Sequence, residues 1–187
     1  MKLKKEEIKT PTCGEGEFLR TLAAHPFFAH FSEKEGAHIV GMGSFLSCAP
    51  GELLIREKDL TRDFYVLLSG RMVVTRALYA GDEREIGYIE PGDFFGEMAF
   101  LDGRPRSASV TCVAGGAVFR LSVESFTKLI ARKPGIAYKI VNIIAIALTQ
   151  RLRNSNDVVE NFFSNPNKAI LEFKTRLLKI RTMLQRV

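Results

Sequence analysis

The chain has 187 residues, 46% hydrophobic and 26% charged, with a formal net charge of +6. That length and balance suit one good-sized folded core with a helical appendage and exclude a disordered chain. The charge is local: residues 165–187 hold Lys168, Lys174, Arg176, Lys179, Arg181 and Arg186 against Glu172, a net of +5, so the rest of the chain is close to neutral and offers no polyanion-binding surface.

From the N-terminus, Met1–Thr10 is charged and lacks an apolar core segment, which argues against a signal peptide, and residues 1–16 read as a tail. Residues 17–42 place apolar groups at helical spacing, interrupted at Pro26, and predict short helices packed on a rim. From Phe45 to Leu121 the texture becomes β-rich. The predicted strands are Glu52–Arg56, Phe64–Leu68, Met72–Ala77, Arg84–Ile89, Ala108–Val113 and Ala117–Leu121. Turn signals separate them at Ala49-Pro50-Gly51, Ser69-Gly70, Ala80-Gly81-Asp82, Glu90-Pro91-Gly92 and Gly115-Gly116, and Thr75–Tyr88 reads as a hairpin. This pattern argues for an antiparallel sandwich or jelly-roll barrel.

After Ser122, a candidate cap, a helix is expected over Phe126–Arg132 with a stop at Pro134-Gly135, then a long helix over about 136–162. In it Val141, Ala145, Leu148, Leu152, Ser155, Val159 and Phe162 alternate steps of four and three, a heptad seam that predicts pairing with a second copy. Ile136, Ile140, Ile143, Ile144 and Ala147 form another apolar face, fit to pack on the chain's own barrel. The longest apolar run, Ile143–Leu148, is far shorter than the ~20 residues of a membrane span, so no transmembrane segment is expected. A last amphipathic helix carries Ile170, Phe173, Leu177, Ile180 and Leu184 on one stripe and basic residues on the other face.

The chemistry concentrates in Gly92–Ser109 (GDFFGEMAFLDGRPRSAS). Gly96 allows close backbone approach, and Glu97-Met98-Ala99 can begin a short helix whose free N–H groups suit a phosphate. Arg106, returning after the Asp102-Gly103 turn, brings a charged fork for phosphate oxygens, with the Ser107 hydroxyl beside it. A carboxylate next to that arginine can accept a hydrogen bond from a sugar hydroxyl. The combined demand is a phosphate joined to a sugar.

This stretch resembles the phosphate-binding cassette of the cyclic nucleotide-binding domain family, through Pro91–Glu97 and Arg106-Ser107-Ala108. Gly51–Gly70, ending in the Tyr65-to-Gly70 phrase, is similar to the family's earlier strands, and the resemblance covers roughly residues 18–163. It implies a mainly β fold with flanking α, a double-stranded β-helix (jelly-roll) barrel over 17–133. The implied dimerisation helix spans 134–163, followed by a basic helix over 164–187. It further implies Glu97 on the ribose 2′-hydroxyl and Arg106 on the cyclic phosphate. Ser107 and the backbone of Gly96, Met98, Ala99 and Ala108 assist, and Met72, Val74, Ile86 and Gly87 line the pocket. Ser155 and Asn156 match the positions at which catabolite activator-type regulators contact adenine across a dimer, and Ser155 is the polar member of the seam. Lys58 departs from the family, standing where a glycine often precedes Asp59.

The implied ligand is cAMP, with cGMP left open, and the implied role a non-catalytic cytoplasmic sensor acting as a homodimer on a downstream protein. His25, His30 and His38 all fall in the N-terminal region with no strand-borne partner, so no metal site and no catalytic set is expected. Cys13, Cys48 and Cys112 read as reduced thiols. Two alternatives stand beside the sensor: a DNA-binding regulator of the catabolite activator type, and a ligand-free dimeric scaffold. Only about 25 residues follow Phe162, few for a helix-turn-helix reader with a wing.

Overall fold

In the computed structural model, residues 7–8, 22, 24–77 and 82–164 are described. The chain divides into two units, Met1–Lys139 and Ile140–Val187.

The first unit is built on antiparallel strands: β1 (Glu7–Ile8), β2 (Ser44–Cys48), β3 (Leu53–Ile55), β4 (Phe64–Ala77), β5 (Glu83–Ile89), β6 (Phe94–Phe95) and β7 (Ser109–Leu121). The sheet runs β1-β2-β7-β4-β5, with β3 paired on β7 and β6 on β4. Glu7 and Ile8, within the segment expected to be a tail, pair with Leu46 and Phe45. The expected hairpin is present, with Thr75 opposite Glu85 and Ala77 opposite Glu83; its Ala80-Gly81 signal lies outside the described residues.

Two turn signals are corrected. Ser69-Gly70 and Gly115-Gly116 do not reverse the chain; they lie inside β4 and β7, so four expected strands are two long ones. The two strands cross there through successive register shifts, with Ser69 opposite Ala117 and Arg71 opposite Ala114. Gly70 has φ +87°, and a Cβ on it would lie 2.6 Å from the Ala114 carbonyl oxygen. Glycine therefore marks a place where two backbones bend against one another, a bulge rather than a turn.

Alternation along these strands sends one set of side chains inward. Leu46, Leu54, Ile55, Tyr65, Leu67, Met72, Ile89, Phe95, Val110 and Val118 form a buried cluster, with Val74 packed against it. Cys48 and Cys112 belong to it as free thiols, and burial, reinforced by Cys112, pushes Cys48 up to about 12. A thiol so far from ionising is a packing residue.

A second core is aromatic. Phe28 meets Phe119 at 5.5 Å, Phe27 meets Phe64 at 5.7 Å, and Phe64 meets Phe94 and Phe100 at 5.4 and 5.5 Å. Phe100 in turn meets Phe126 at 4.7 Å. These contacts tie the 3-10 turn Phe28–His30, the sheet, α2 (Glu97–Asp102) and α3 (Val123–Arg132) together. Such ring pairs add about 0.5–1.5 kcal/mol each beyond area burial. Phe100 is what holds α2, and with it Glu97, on the sheet.

The helices end where their chemistry says. In α1 (Glu33–Val40), Ser32 and Glu35 form a reciprocal capping box. The Glu35 carboxylate also accepts from Lys139 Nζ at 2.8 Å on both oxygens. Lys139, with the Ser32 donors, holds that carboxyl at about 2 rather than its usual 4.5. Ser122 caps α3 as expected, accepting from the Ser125 N–H at 3.1 Å.

α3 stops at Arg132, ahead of Pro134-Gly135 as expected, and α4 runs Pro134–Ser164, beginning two residues before the expected start at about 136. A first-turn proline loses nothing, since its N–H would be unpaired there anyway. Ile136, Ile140 and Ile144 are buried, as expected of that face. The seam residues Leu152, Val159 and Phe162 are exposed by 53% or more. By length and composition α4 could cross a membrane, with mean hydropathy 1.2 over its most apolar window, which the short run Ile143–Leu148 did not reveal. Core helices reach the same hydropathy, and Ile140 and Ile144 are fully buried. The basic helix expected after Ser164 lies outside the described residues.

Candidate functional site

The site begins with a glycine. β6 ends at Phe95, and Gly96 turns the chain into α2 with φ +77°. A Cβ on Gly96 would lie 2.7 Å from Arg106 Nη1, 2.9 Å from the Asp63 carbonyl oxygen and 3.2 Å from Ile55 Cδ1. Gly96 thus meets a positive-φ requirement and a space requirement together. At the other end of α2, Gly103 has φ +71° and accepts the chain leaving the helix.

Arg106 is 3% exposed, which for an arginine demands partners. It has them. Nη1 donates to the Gly96 carbonyl at 2.8 Å, Nη2 to the Asp63 carbonyl at 2.7 Å, and Nε to Thr61 Oγ1 at 3.1 Å. Its backbone is pinned as well: the Arg106 N–H donates to the Asp59 carbonyl and the Lys58 N–H to the Arg106 carbonyl, both at 2.9 Å. Burial pulls the guanidinium below its ordinary value, opposed by Tyr65, Asp63, Glu97 and Asp59. An arginine so shifted stays a cation at neutral pH. Burial pushes the nearby Tyr65 phenol up to about 12, so it is neutral there.

Glu97, 6% exposed, opens α2 directly after Gly96. The structure therefore buries both charged residues singled out from the sequence, with Gly96 bonded to one and adjacent to the other. Ser107 is brought to Met98, its hydroxyl 3.4 Å from Met98 Sδ. Met98 and Ser107 are exposed, Ala99 is buried and Ala108 half-buried.

The expected lining residues separate. Met72 is fully buried in the inner cluster and Val74 lies against it. Gly87 pairs with Val74 and has open space where a Cβ would be. Ile86 falls at the register shift between the Val74–Gly87 and Thr75–Glu85 pairs and is 58% exposed. Ser155 and Asn156 are exposed on α4, in the second unit. Thr61, Asp59 and Asp63, which hold Arg106, were not among the residues singled out. Asp59 and Asp63 act through backbone carbonyls, which no side-chain pattern reports.

Lys58 resolves its departure from the family. It takes φ +68°, the left-handed conformation a glycine would adopt, and is the non-glycine residue that does so among the described residues. That conformation costs roughly 1–2 kcal/mol for an L side chain. Lys58→Gly is therefore expected to stabilise the protein by about 1 kcal/mol after the added freedom of the unfolded chain is subtracted. Urea unfolding would read this as a raised midpoint at unchanged slope; a lowered midpoint would contradict it.

Among the described residues no group of three or more His, Cys, Asp or Glu side chains could hold a metal.

The profile of the cyclic nucleotide-binding domain family matches residues 45–133. The chain is 32% identical over 106 residues to a cyclic AMP receptor protein of Thermus thermophilus, covering 57% of this chain and 47% of that protein. It is 34% identical over 82 residues to the cAMP-dependent protein kinase regulatory subunit of Dictyostelium discoideum, covering 42% of this chain and 25% of that one. The chain thus spans about half the length of the first of these relatives and a quarter of the second. Among solved structures, a cyclic nucleotide-binding domain from Methylobacillus flagellatus superposes with a TM-score of 0.65 at 25% identity, covering 76% of this chain and 80% of that one. The sheet and its flanking helices share the fold of that solved domain. Through residues 45–133, the chain belongs to the cyclic nucleotide-binding domain family.

Proposed function

We propose that the chain is a non-catalytic sensor of a cyclic nucleotide, cAMP first, whose phosphate is held by Arg106 and whose ribose 2′-hydroxyl is held by Glu97. The observation that carries this reading is the buried Arg106, folded over Gly96 with a second buried charge beside it. Burying an arginine is costly, and a surface ion pair contributes only ~0–1 kcal/mol. A charge kept in such a place suits a group that must meet an anion away from water.

The bonds to Thr61, Gly96 and Asp63 take one N–H from each guanidinium nitrogen. One N–H remains on each Nη, a pair matched to phosphate oxygens. Relatives named for cAMP put it first, and a relative named for cGMP keeps that nucleotide as the second ligand to be titrated. The exposed seam of α4 supports a homodimer through residues 141–162. A downstream protein reads the state of the long helix, which the ligand shifts between two arrangements.

Calorimetric titration of freshly stripped protein with cAMP and cGMP, with light scattering on the same sample, tests the reading. Saturable binding of one nucleotide per chain to a dimer is expected. Failure of both nucleotides to bind would remove the sensor and leave the scaffold.

A further inference from the structure

Arg106 presents its charge in one orientation, and three acceptors fix it. Two are backbone carbonyls, of Gly96 and Asp63. The third is a side chain, Thr61 Oγ1, which accepts from Nε at 3.1 Å. Thr61 lies in the segment between β3 and β4 and is itself exposed, while the arginine it holds is 3% exposed. Its hydroxyl therefore adds little to the core and a great deal to one angle. With the Nε bond added to the two Nη bonds, the guanidinium plane is held at all three nitrogens rather than at two.

We propose that Thr61 is a positioning residue for ligand phosphate. By occupying Nε, it directs the two remaining Nη N–H groups at one place and makes the phosphate site depend on the β3–β4 segment. This rests on the cyclic-nucleotide reading given above and adds a residue to it.

The segment is suited to the task. Lys58 and Asp59 clasp the Arg106 backbone through two 2.9 Å bonds, and Asp63 supplies the carbonyl for Nη2. Residues 58–63 thus hold Arg106 at backbone and side chain alike. Within them Thr61 supplies a side-chain bond that a substitution can remove without touching the backbone.

The test compares Thr61→Val, which keeps the shape and deletes the acceptor, with Thr61→Ser, which keeps the acceptor. Calorimetric titration would use cAMP and its two phosphorothioate diastereomers. In the unaltered protein the two diastereomers should bind unequally, because sulfur is a poor acceptor at whichever oxygen faces Arg106. Thr61→Val is expected to weaken cAMP about tenfold, the size of one hydrogen bond to a charged group, and to shrink the diastereomer preference. Thr61→Ser should restore both to within about twofold. Melting temperatures of the two variants should lie close together, since the residue is exposed.

If Thr61→Val binds cAMP as the unaltered protein does, with the same diastereomer preference, Thr61 positions nothing. If affinity falls but the preference is untouched and serine does not rescue it, its part is structural. If the unaltered protein binds no nucleotide, the sensor reading fails first and this proposal with it.

Discussion

Arg106→Ala is expected to abolish measurable cyclic nucleotide binding at concentrations that saturate the unaltered protein. Truncating one member of a buried, hydrogen-bonded charge pair costs about 2–5 kcal/mol, an affinity loss on the order of 30- to 4,000-fold. The upper part of that range applies, because no other buried cation stands by to take the phosphate among the described residues. The same change strips the Gly96 and Asp63 carbonyls of their guanidinium donors. Losing hydrogen bonds from a charged donor costs roughly 1.5–3 kcal/mol, so the ligand-free protein should also melt earlier.

Arg106→Lys separates the two effects. It keeps the charge but cannot reach three acceptors from one ammonium. Partial affinity with most of the stability loss retained is expected. Calorimetric titration beside thermal unfolding of both variants is the check. An alanine variant that binds cAMP within twofold of the original would remove Arg106 from the site.

How far such a site can be read from sequence depends on what each part is made of. Gly96, Glu97 and Arg106 stand out in the sequence by pattern: a glycine opening a helix, a carboxylate directly after it, and an arginine nine residues on, past the Asp102-Gly103 turn. The structure buries Glu97 and Arg106. The acceptors that orient Arg106 are illegible for the opposite reason. Every residue has a carbonyl, so Asp59 and Asp63 carry no mark of theirs, and Thr61 is one hydroxyl in a polar turn.

The turn signals failed where glycine did a different job. Gly70 was read as a chain reversal, yet it sits inside β4 because the β7 backbone passes within 2.6 Å of where its Cβ would be. A residue chosen for close approach and one chosen for a turn look alike in one dimension. Pro134 serves two elements at once: it stands just past the end of α3 and opens α4 without penalty. The long helix α4 was legible because periodicity along a single helix is wholly local.

Gly96→Ala should lower stability and ligand affinity together. The left-handed φ of +77° costs an alanine about 1–2 kcal/mol. The new methyl would lie 2.7 Å from Arg106 Nη1 and 2.9 Å from the Asp63 carbonyl oxygen. Neither can yield readily, since these two are bonded to one another at 2.7 Å through Nη2. Overpacking of this kind typically adds 1–3 kcal/mol, for a total destabilisation of about 2–5 kcal/mol. Because the strain is relieved by moving the guanidinium, affinity should fall with stability.

Gly103→Ala supplies the control. Its φ is nearly the same at +71°, yet a Cβ there would meet only the Arg62 guanidinium, no closer than 3.4 Å. That side chain is on an exposed residue and can swing aside. The backbone cost of about 1–2 kcal/mol should therefore appear alone, with cAMP affinity unchanged. Urea unfolding and calorimetric titration of the two variants side by side distinguish conformation from crowding. Equal losses at both glycines would mean that backbone angle alone decides, and that the tight packing of Arg106 against Gly96 contributes nothing to the site.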